Sequence, residues 1–283
     1  MASYGFYTGT ESFYQTITAA VADIAEHGFD SEERLETWVD RIRKAAVRSM
    51  VPERTLQAAL NETLRSIFRA KVERGGVLKM HPDVSRFTLD KIAPRLRSEL
   101  DRRIMASASL IRLNRAQAID RTIQRFTGWA TSIPAGGSGV VDRLKLKEQV
   151  RKPLASMPFE ERRVAIDQGH KLVSSINSIL ATDGGAIAAE WHSHCREIGY
   201  NYRPDHKAID KQVFLIRDSW AHQAGFVKAP ADRFTDKIEQ PAGLPFCRCY
   251  YRYVYALRSL YRIAPEMFTA KGLEELERVK VAA

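Results

Sequence analysis

The residue types best able to do chemistry gather near the C-terminal end of this 283-residue chain. The stretch WHSHCREIGYNYRPDH, residues 191–206, carries His192, His194, Cys195 and His206; His222 follows, and GLPFCRCYY, residues 243–251, carries Cys247 and Cys249. These are N and S donors of the kind zinc prefers, and a closed structural zinc site needs four of them in a tetrahedral array. Cys247, Cys249 and His206 with one of His194 or Cys195 supply such a set, provided the chain bends at C-R-C so that both thiolates reach one ion. Without a metal, His206 hydrogen-bonds to its own loop and one cysteine packs as a small buried hydrophobe. No cofactor is the expectation, and zinc is the alternative. Arg203 and Arg248 suit the clamping of carboxylates or backbone carbonyls in the same region. The three cysteines cannot all pair within one chain, and Cys247 and Cys249 are too close in sequence for a relaxed disulfide.

A catalytic centre here would take one of two forms. His206, next to Asp205, pairs with a distant cysteine nucleophile, or His206 and carboxylates hold a nuclease metal. Neither has a supporting motif: there is no G-x-S-x-G, no H-E-x-x-H, no P-loop and no Gly-rich fingerprint. PAGGSGV, residues 134–140, lacks the Lys-Ser/Thr end that holds phosphate and magnesium. The expectation is a protein that is not an enzyme.

The elements that must position these residues read as a mainly α fold: a helical N-terminal region with one long helix, followed by a small α+β module. Phe13, Ile17, Val21 and Ile24 form one stripe of a helix from Glu11 to His27, ended by Gly28. Asp30, with Glu33 three residues on, reads as the N-cap of a second helix whose Leu35, Trp38, Val39, Ile42 and Ala46 share a face. Pro52 opens a third, carrying Leu56, Leu60, Leu64, Ile67, Phe68 and Val72 up to Gly75-Gly76. A helix of thirty-odd residues is expected between Thr88 and Thr127, with Pro94 near its start. SIPAGGSGV, residues 132–140, reads as a flexible connection, and residues 142–152 as a short charged segment. A further helix from Pro158 places Val164, Leu172, Val173, Ile176 and Leu180 on a core side before Asp183-Gly184-Gly185 stops it. Beyond Gly185 lie four of the seven histidines and a strand pattern in CYYRYVYAL, where Tyr251, Tyr253 and Tyr255 alternate with Tyr250, Arg252 and Val254. The implied division is 1–132 helical region, 133–141 linker, 142–185 helical connector, 186–256 α+β module and 257–283 terminal helix or tail.

Lys and Arg number 44 against 34 Asp and Glu, a formal net charge of +10, which favours acidic partners such as nucleic acid or an anionic protein surface. The expected long helix concentrates this charge in Arg95, Arg97, Arg102, Arg103, Arg112, Arg115, Arg121 and Arg125 against Glu99, Asp101 and Asp120. Intrahelical ion pairing on a solvated face is the favoured reading, and contact with the phosphates of double-stranded DNA or with an acidic partner the alternative. The start, MASYGFYTGTESFYQ, lacks the basic and apolar regions of a secretory signal, and no run of about 18 apolar residues suggests a membrane span.

The C-terminal pattern resembles a known family. Trp191 leading S-H-C-R-E-I-G-Y-N-Y-R-P-D-H, the R-x-x-H element Arg203 to His206, and a Pro-containing loop ending in Cys247-Arg248-Cys249 before a strand are similar to the signature of phage minor head proteins related to protein F of phage Mu, also called head morphogenesis proteins. The resemblance covers roughly residues 186–256. Many relatives carry C-x-x-C where this chain has Arg203-Pro204-Asp205-His206, and a histidine shortly before C-R-C where it has Leu244-Pro245-Phe246. What the resemblance implies is a minor capsid protein inside the virion near the portal vertex, made in the host cytoplasm. It would bind the portal protein, with the major capsid or scaffolding protein as further partners, and support procapsid assembly, DNA packaging or ejection. The rival functions are a sequence-nonspecific DNA-binding protein using the arginine-rich helix and a metal-dependent nuclease centred on His206.

Overall fold

Phe13, Ile17, Val21 and Ile24 are all buried on one face of helix α1 (Thr10–His27) in the computed structural model, which describes residues 10–281. The residues before Thr10, where a secretory leader would lie, are outside the described residues. Helix α2 (Glu32–Ser49) is capped one residue later than the Asp30 expected: the Ser31 hydroxyl accepts from the Arg34 N–H at 3.3 Å, while the Asp30 carboxylate pairs with the Arg34 guanidinium at 3.0 Å. Helix α3 (Glu53–Phe68) follows Pro52 and passes into a π-turn, Arg69–Glu73. Helix α4 (Arg86–Ala130) has 45 residues. It exceeds the expected length because Ser85 caps it early, accepting from the Thr88 N–H at 3.2 Å, and because its later turns hold no breaker before Gly128. The charged segment after residue 142 is itself a helix, α5 (Arg143–Ala155), capped by Asp142 on the Lys145 N–H at 3.0 Å. Helix α6 (Met157–Asp183) ends, as expected, at Gly184-Gly185, with Gly185 at φ +81°.

The described residues form two compact units, one within 1–61 and 105–165 and the other within 62–104 and 166–283. This differs from the boundaries drawn on the sequence, because α3, α4 and α6 run through the positions where one unit gives way to the other. In the first unit α1, α2, α5 and the end of α4 bury Ile17, Ile24, Ile42, Phe126, Ile133 and Leu154 in one cluster.

Residues 132–140, expected as a flexible connection, are tied down. The Gly136 N–H donates to His27 O at 2.8 Å, the Ser138 N–H to Ala25 O at 2.9 Å, and the Phe29 N–H to Ile133 O at 3.1 Å. The glycines here allow backbone to meet backbone, so the last carbonyls of α1 find donors in this segment. Gly28 has φ +77°, and a Cβ there would stand 1.8 Å from Pro134 O.

The second unit carries the α+β module. Strands β1 (Ala188–His192), β2 (Val213–Leu215) and β3 (Tyr250–Val254) form an antiparallel sheet in the order β2-β1-β3. Trp191 stands opposite Tyr251, and Ala189 opposite Phe214 and Tyr253. Strand alternation sends Ala188, Val213, Leu215 and Val254 into one apolar cluster and Ala189, Trp191, Phe214 and Tyr251 into another. Short helices α7 (Pro204–Ala208), α8 (Trp220–Gln223) and α9 (Leu257–Tyr261), and the longer α10 (Ala270–Val281), fill the connections and the end. His81 is fully buried in this unit: its Nε2 donates to Asn177 Oδ1 of α6 at 2.9 Å, and its Nδ1 accepts from the Tyr255 hydroxyl. Burial holds its pKa below the ordinary value, which suits the neutral tautomer that these two bonds require.

If the 132–140 segment caps α1 rather than linking domains, Gly28→Ala introduces both left-handed strain and a backbone clash, and should cost about 2–4 kcal/mol. Gly136→Ala, at φ +90° but with nothing within 4 Å of the added Cβ, should cost only about 1 kcal/mol. Denaturant unfolding of the two variants measures the difference; equal small losses would restore the linker.

Candidate metal centre

His206 reaches the centre from α7, a single turn started by Pro204, whose fixed φ suits the first helical position. The cysteines arrive on the loop that leads into β3. Residues two apart share a face of an extended chain, so alternation does not separate Cys247 from Cys249; their spacing of about 6.8 Å along a strand does. The chain closes that gap by turning. Phe246 has φ +61° and Ala242 φ +63°, and the Cys247 N–H bonds to Leu244 O at 3.2 Å. Left-handed backbone at alanine and phenylalanine is strained, and it persists because the surroundings hold it.

Four side chains from elsewhere in the unit do the holding. Asp167 of α6 accepts from the Phe246 N–H at 2.6 Å, and Ser174 of α6 donates to Pro241 O at 2.6 Å. The Tyr200 hydroxyl donates to Phe246 O at 3.1 Å and accepts from the Arg248 N–H at 3.2 Å, while Arg203 donates to Pro245 O at 3.1 Å. Arg203 therefore clamps a carbonyl, one of the two roles expected for it. The Arg248 guanidinium lies over the Tyr200 ring, 5.7 Å from its centroid.

The result is a buried three-donor set. His206 Nδ1 lies 3.5 Å from the sulfur of Cys247 and 3.5 Å from that of Cys249, and all three donor atoms lie within 4.8 Å of one another. Trp191, fully buried, packs edge-on against the His206 ring at 5.1 Å between centroids. Cys247 is driven down to about 5 first by the hydrogen bond from the Cys249 thiol, helped by the backbone amides of Cys249 and Ala242 and by His206, against the opposing effect of burial. Cys249 moves the opposite way, because it is the donor to that thiolate and is buried.

A zinc with nitrogen at 2.0–2.1 Å and sulfur at 2.3 Å has a tetrahedral N···S edge of about 3.6 Å. The 3.5 Å separations from His206 match that edge on both sides, and the two sulfurs lie within 4.8 Å of each other, a spacing within reach of one zinc-class ion. The three donors do not complete the closed four-donor set. His194, expected as a ligand, places its Nε2 3.7 Å from Glu197 and its ring against Tyr200; Cys195 is half-buried and free, and neither belongs to the cluster. Three protein donors leave one position for water, the arrangement of an open rather than a closed zinc site. Among the described residues the cluster includes no carboxylate, whereas magnesium and the similar hard ions of nucleases favour oxygen ligands.

Trp191, Arg203, His206, Cys247, Arg248 and Cys249 thus meet in one place, although they come from three separate stretches. Tyr200 and Asp167 were not singled out from the sequence. Tyr200 lies inside the stretch 191–206 but its residue type alone gave no sign of a bond to the C-R-C loop, and Asp167 had only a helical pattern around it.

Each of the eight arginines from Arg95 to Arg125 in α4 has a partner within the protein, and six of them, all but Arg103 and Arg115, stay exposed. Arg95 bonds both oxygens of Asp183, at 2.7 and 3.0 Å, and Arg97 lies 3.8 Å from Asp101. Arg102 and Arg103 share Glu99, each at 2.7 Å. Burial alone would raise the Glu99 carboxyl, but the bonds from Arg102 and Arg103 outweigh it and hold the pKa below the ordinary range. Arg112 pairs with Glu53 at 3.0 Å, and Arg115 with buried Glu161 at 2.6 Å and with Val51 O at 2.8 Å. Arg121 reaches Gln117 at 3.4 Å, and Arg125 donates to Gln149 O at 2.7 Å. Internal pairing was the favoured expectation, and its reach beyond the helix itself is the new element.

Comparison of the chain with protein-family models, with curated proteins and with solved structures finds no match. Among the described residues no helix is long and apolar enough to cross a membrane.

The donor spacing predicts close to one zinc per chain by elemental analysis after purification without chelator, lost in Cys247→Ser and in Cys249→Ser. Each substitution should also lower stability by about 1–3 kcal/mol. A metal-free protein whose melting is unchanged by added zinc or chelator would leave a hydrogen-bonded centre only. Arg115→Gln, which strands Glu161 without its cation, should cost about 3 kcal/mol in unfolding free energy. A loss near zero would return Arg115 to the set of surface charges available to a phosphate.

Proposed function

We propose that this chain is a bacteriophage minor head protein of the group related to protein F of phage Mu, acting by binding and without chemical turnover. The observation that carries the proposal is the convergence of the resembling segments. Trp191, the R-x-x-H element and C-R-C are separated by up to about sixty residues, yet they build one centre in which each has an identifiable structural part. The tryptophan covers the histidine, Arg203 and Tyr200 hold the loop, and His206 joins the two thiols. We read a centre of this kind as one that keeps its shape in an assembly, with the loop's hydrogen bonds to α6 and the 200–203 segment as its brace.

The rival readings have less support. A nuclease centre calls for oxygen ligands, and the donor set here is one nitrogen and two sulfurs. A DNA-binding face on α4 calls for arginines available to phosphates; Arg103 and Arg115 are drawn into the protein by Glu99 and Glu161, and the six exposed ones share their charge with acids, an amide or a carbonyl of this chain. In this proposal the protein sits inside the head near the portal vertex, attaches to the portal protein during procapsid formation, and is in the host cytoplasm before that. The major capsid or scaffolding protein and the packaged DNA are secondary partners.

Co-expression with the portal protein of the same genome tests this. The two should co-purify as a complex through size exclusion, and mass spectrometry of purified virions should find the chain. Virions that assemble normally with no copy of it would overturn the proposal. Retention of random duplex DNA by the free protein at physiological salt, with no portal complex, would favour the DNA-binding reading.

A further inference from the structure

In the second unit, α4, α6 and the turn at 240–243 surround a cavity of about 390 Å³. Its lining includes Glu99, Arg102 and Arg103 from α4, Lys171 and Ser174 from α6, and Gln240 from the turn. The cations here outnumber the acids that hold them. The Glu99 carboxylate takes Arg102 at Nε and Nη2, 2.7 and 2.8 Å away, and Arg103 at 2.7 Å, while the Lys171 ammonium meets Asp167 at 3.1 Å. Three cations on two carboxylates leave one positive charge over. Exposed Glu239 lies outside the lining, where water screens it.

Part of this charge is still open to a ligand. A guanidinium has five N–H donors, and Glu99 occupies only the Nε–Nη2 edge of Arg102. The Nη1–Nη2 edge has no partner among the described residues, and the side chain is 59% exposed. Lys171 has one partner, Asp167, for the three N–H groups of its ammonium. The neutral groups complement these donors with acceptors. Gln240 commits its Nε2 to Thr235 O at 2.9 Å, which leaves its Oε1, and Ser174 donates to Pro241 O at 2.6 Å, which leaves the lone pairs of its oxygen.

We infer that this cavity binds a sugar acid, a single carboxylate on a compact body that carries several hydroxyls. The open edge of Arg102 suits a planar carboxylate held by two parallel N–H bonds, and one negative charge balances the surplus. The hydroxyls of the same molecule supply the donors that Gln240 Oε1 and the Ser174 oxygen lack. A space of about 390 Å³ holds about sixteen heavy atoms, the size of a monosaccharide acid, since an engineered cavity of about 150 Å³ binds benzene. A phosphate monoester brings nearly two negative charges, more than the surplus balances. Walls from two helices and a turn suit a compact molecule rather than a peptide that passes through. The site stands on its own residues and does not depend on the assembly role.

Titration calorimetry on the full chain decides the matter, using glucuronate, glucose, hexanoate, glucose 6-phosphate and the capped peptide acetyl-Ala-Glu-Ala-amide. Saturable binding of glucuronate with a Kd below about 10 mM is expected, at least about tenfold tighter than that of any of the other four. Arg102→Gln should weaken it at least about fivefold, and so should Gln240→Glu, which sets a negative charge against the carboxylate. Arg102→Gln leaves Glu99 with Arg103, and Gln240 is exposed, so the circular dichroism and melting of both variants should match the parent. Gln240→Glu decides alone if Arg102→Gln does not fold. No saturable glucuronate binding below about 10 mM, any of the other four binding within about tenfold of it, or a loss smaller than about fivefold in a folded variant would each overturn the inference.

Discussion

The turn that brings Cys247 and Cys249 to one histidine is the constraint around which the C-terminal module is arranged. An extended chain would hold the two sulfurs apart, and the turn that joins them places positive φ angles on Ala242 and Phe246, neither of which favours them. Such backbone survives only where other bonds over-determine it. Those bonds come from α6 through Asp167 and Ser174, and from the 200–203 segment through Tyr200 and Arg203. The helical support, the loop before α7 and the entrance to β3 are therefore one mechanical system, with His206 at its centre.

The charge of the protein tells a related story. A net +10 invites a nucleic-acid reading, and the arginines of α4 look available when the helix is considered alone. In the folded chain Arg95, Arg112, Arg115 and Arg125 face Asp183, Glu53, Glu161 and the Gln149 carbonyl of α6, α3 and α5, while Arg97, Arg102 and Arg121 pair within α4. Pairing across elements converts a basic helix into scaffolding. Arg115, 12% exposed in its side chain, beside Glu161 at 3%, has the strongest claim to a structural role, because charges so far from water depend on their partners.

How much of this could be read in advance varied with the type of signal. Apolar periodicity is local, so the buried stripe of α1, the end of α6 at Gly184-Gly185 and the tyrosine alternation of β3 followed directly from it. The mainly α class with a small α+β module at the C-terminal end followed too. Glycines misled, because their composition does not distinguish a loose linker from a close backbone approach; at residues 132–140 only the position of the end of α1 decides. Within the centre, Trp191, His206, Cys247 and Cys249 were legible as a set. His194 and Cys195 were not separable from them, since donor type is written in the sequence and donor direction is not. The Asp167 bond to Phe246 is a long-range outcome, and residue type alone does not foretell it.

The claim most open to a direct check is that His206 unites the loop, the sheet and the 200–206 segment into one system. Hydrogen exchange by mass spectrometry, comparing the parent with His206→Ala, reads this segment by segment. The account predicts faster exchange together in residues 200–206, in 240–249 and in β1 and β3, with α1, α2 and α5 unchanged. Unaltered protection around 240–249, or a loss spread evenly over the whole chain, would contradict it.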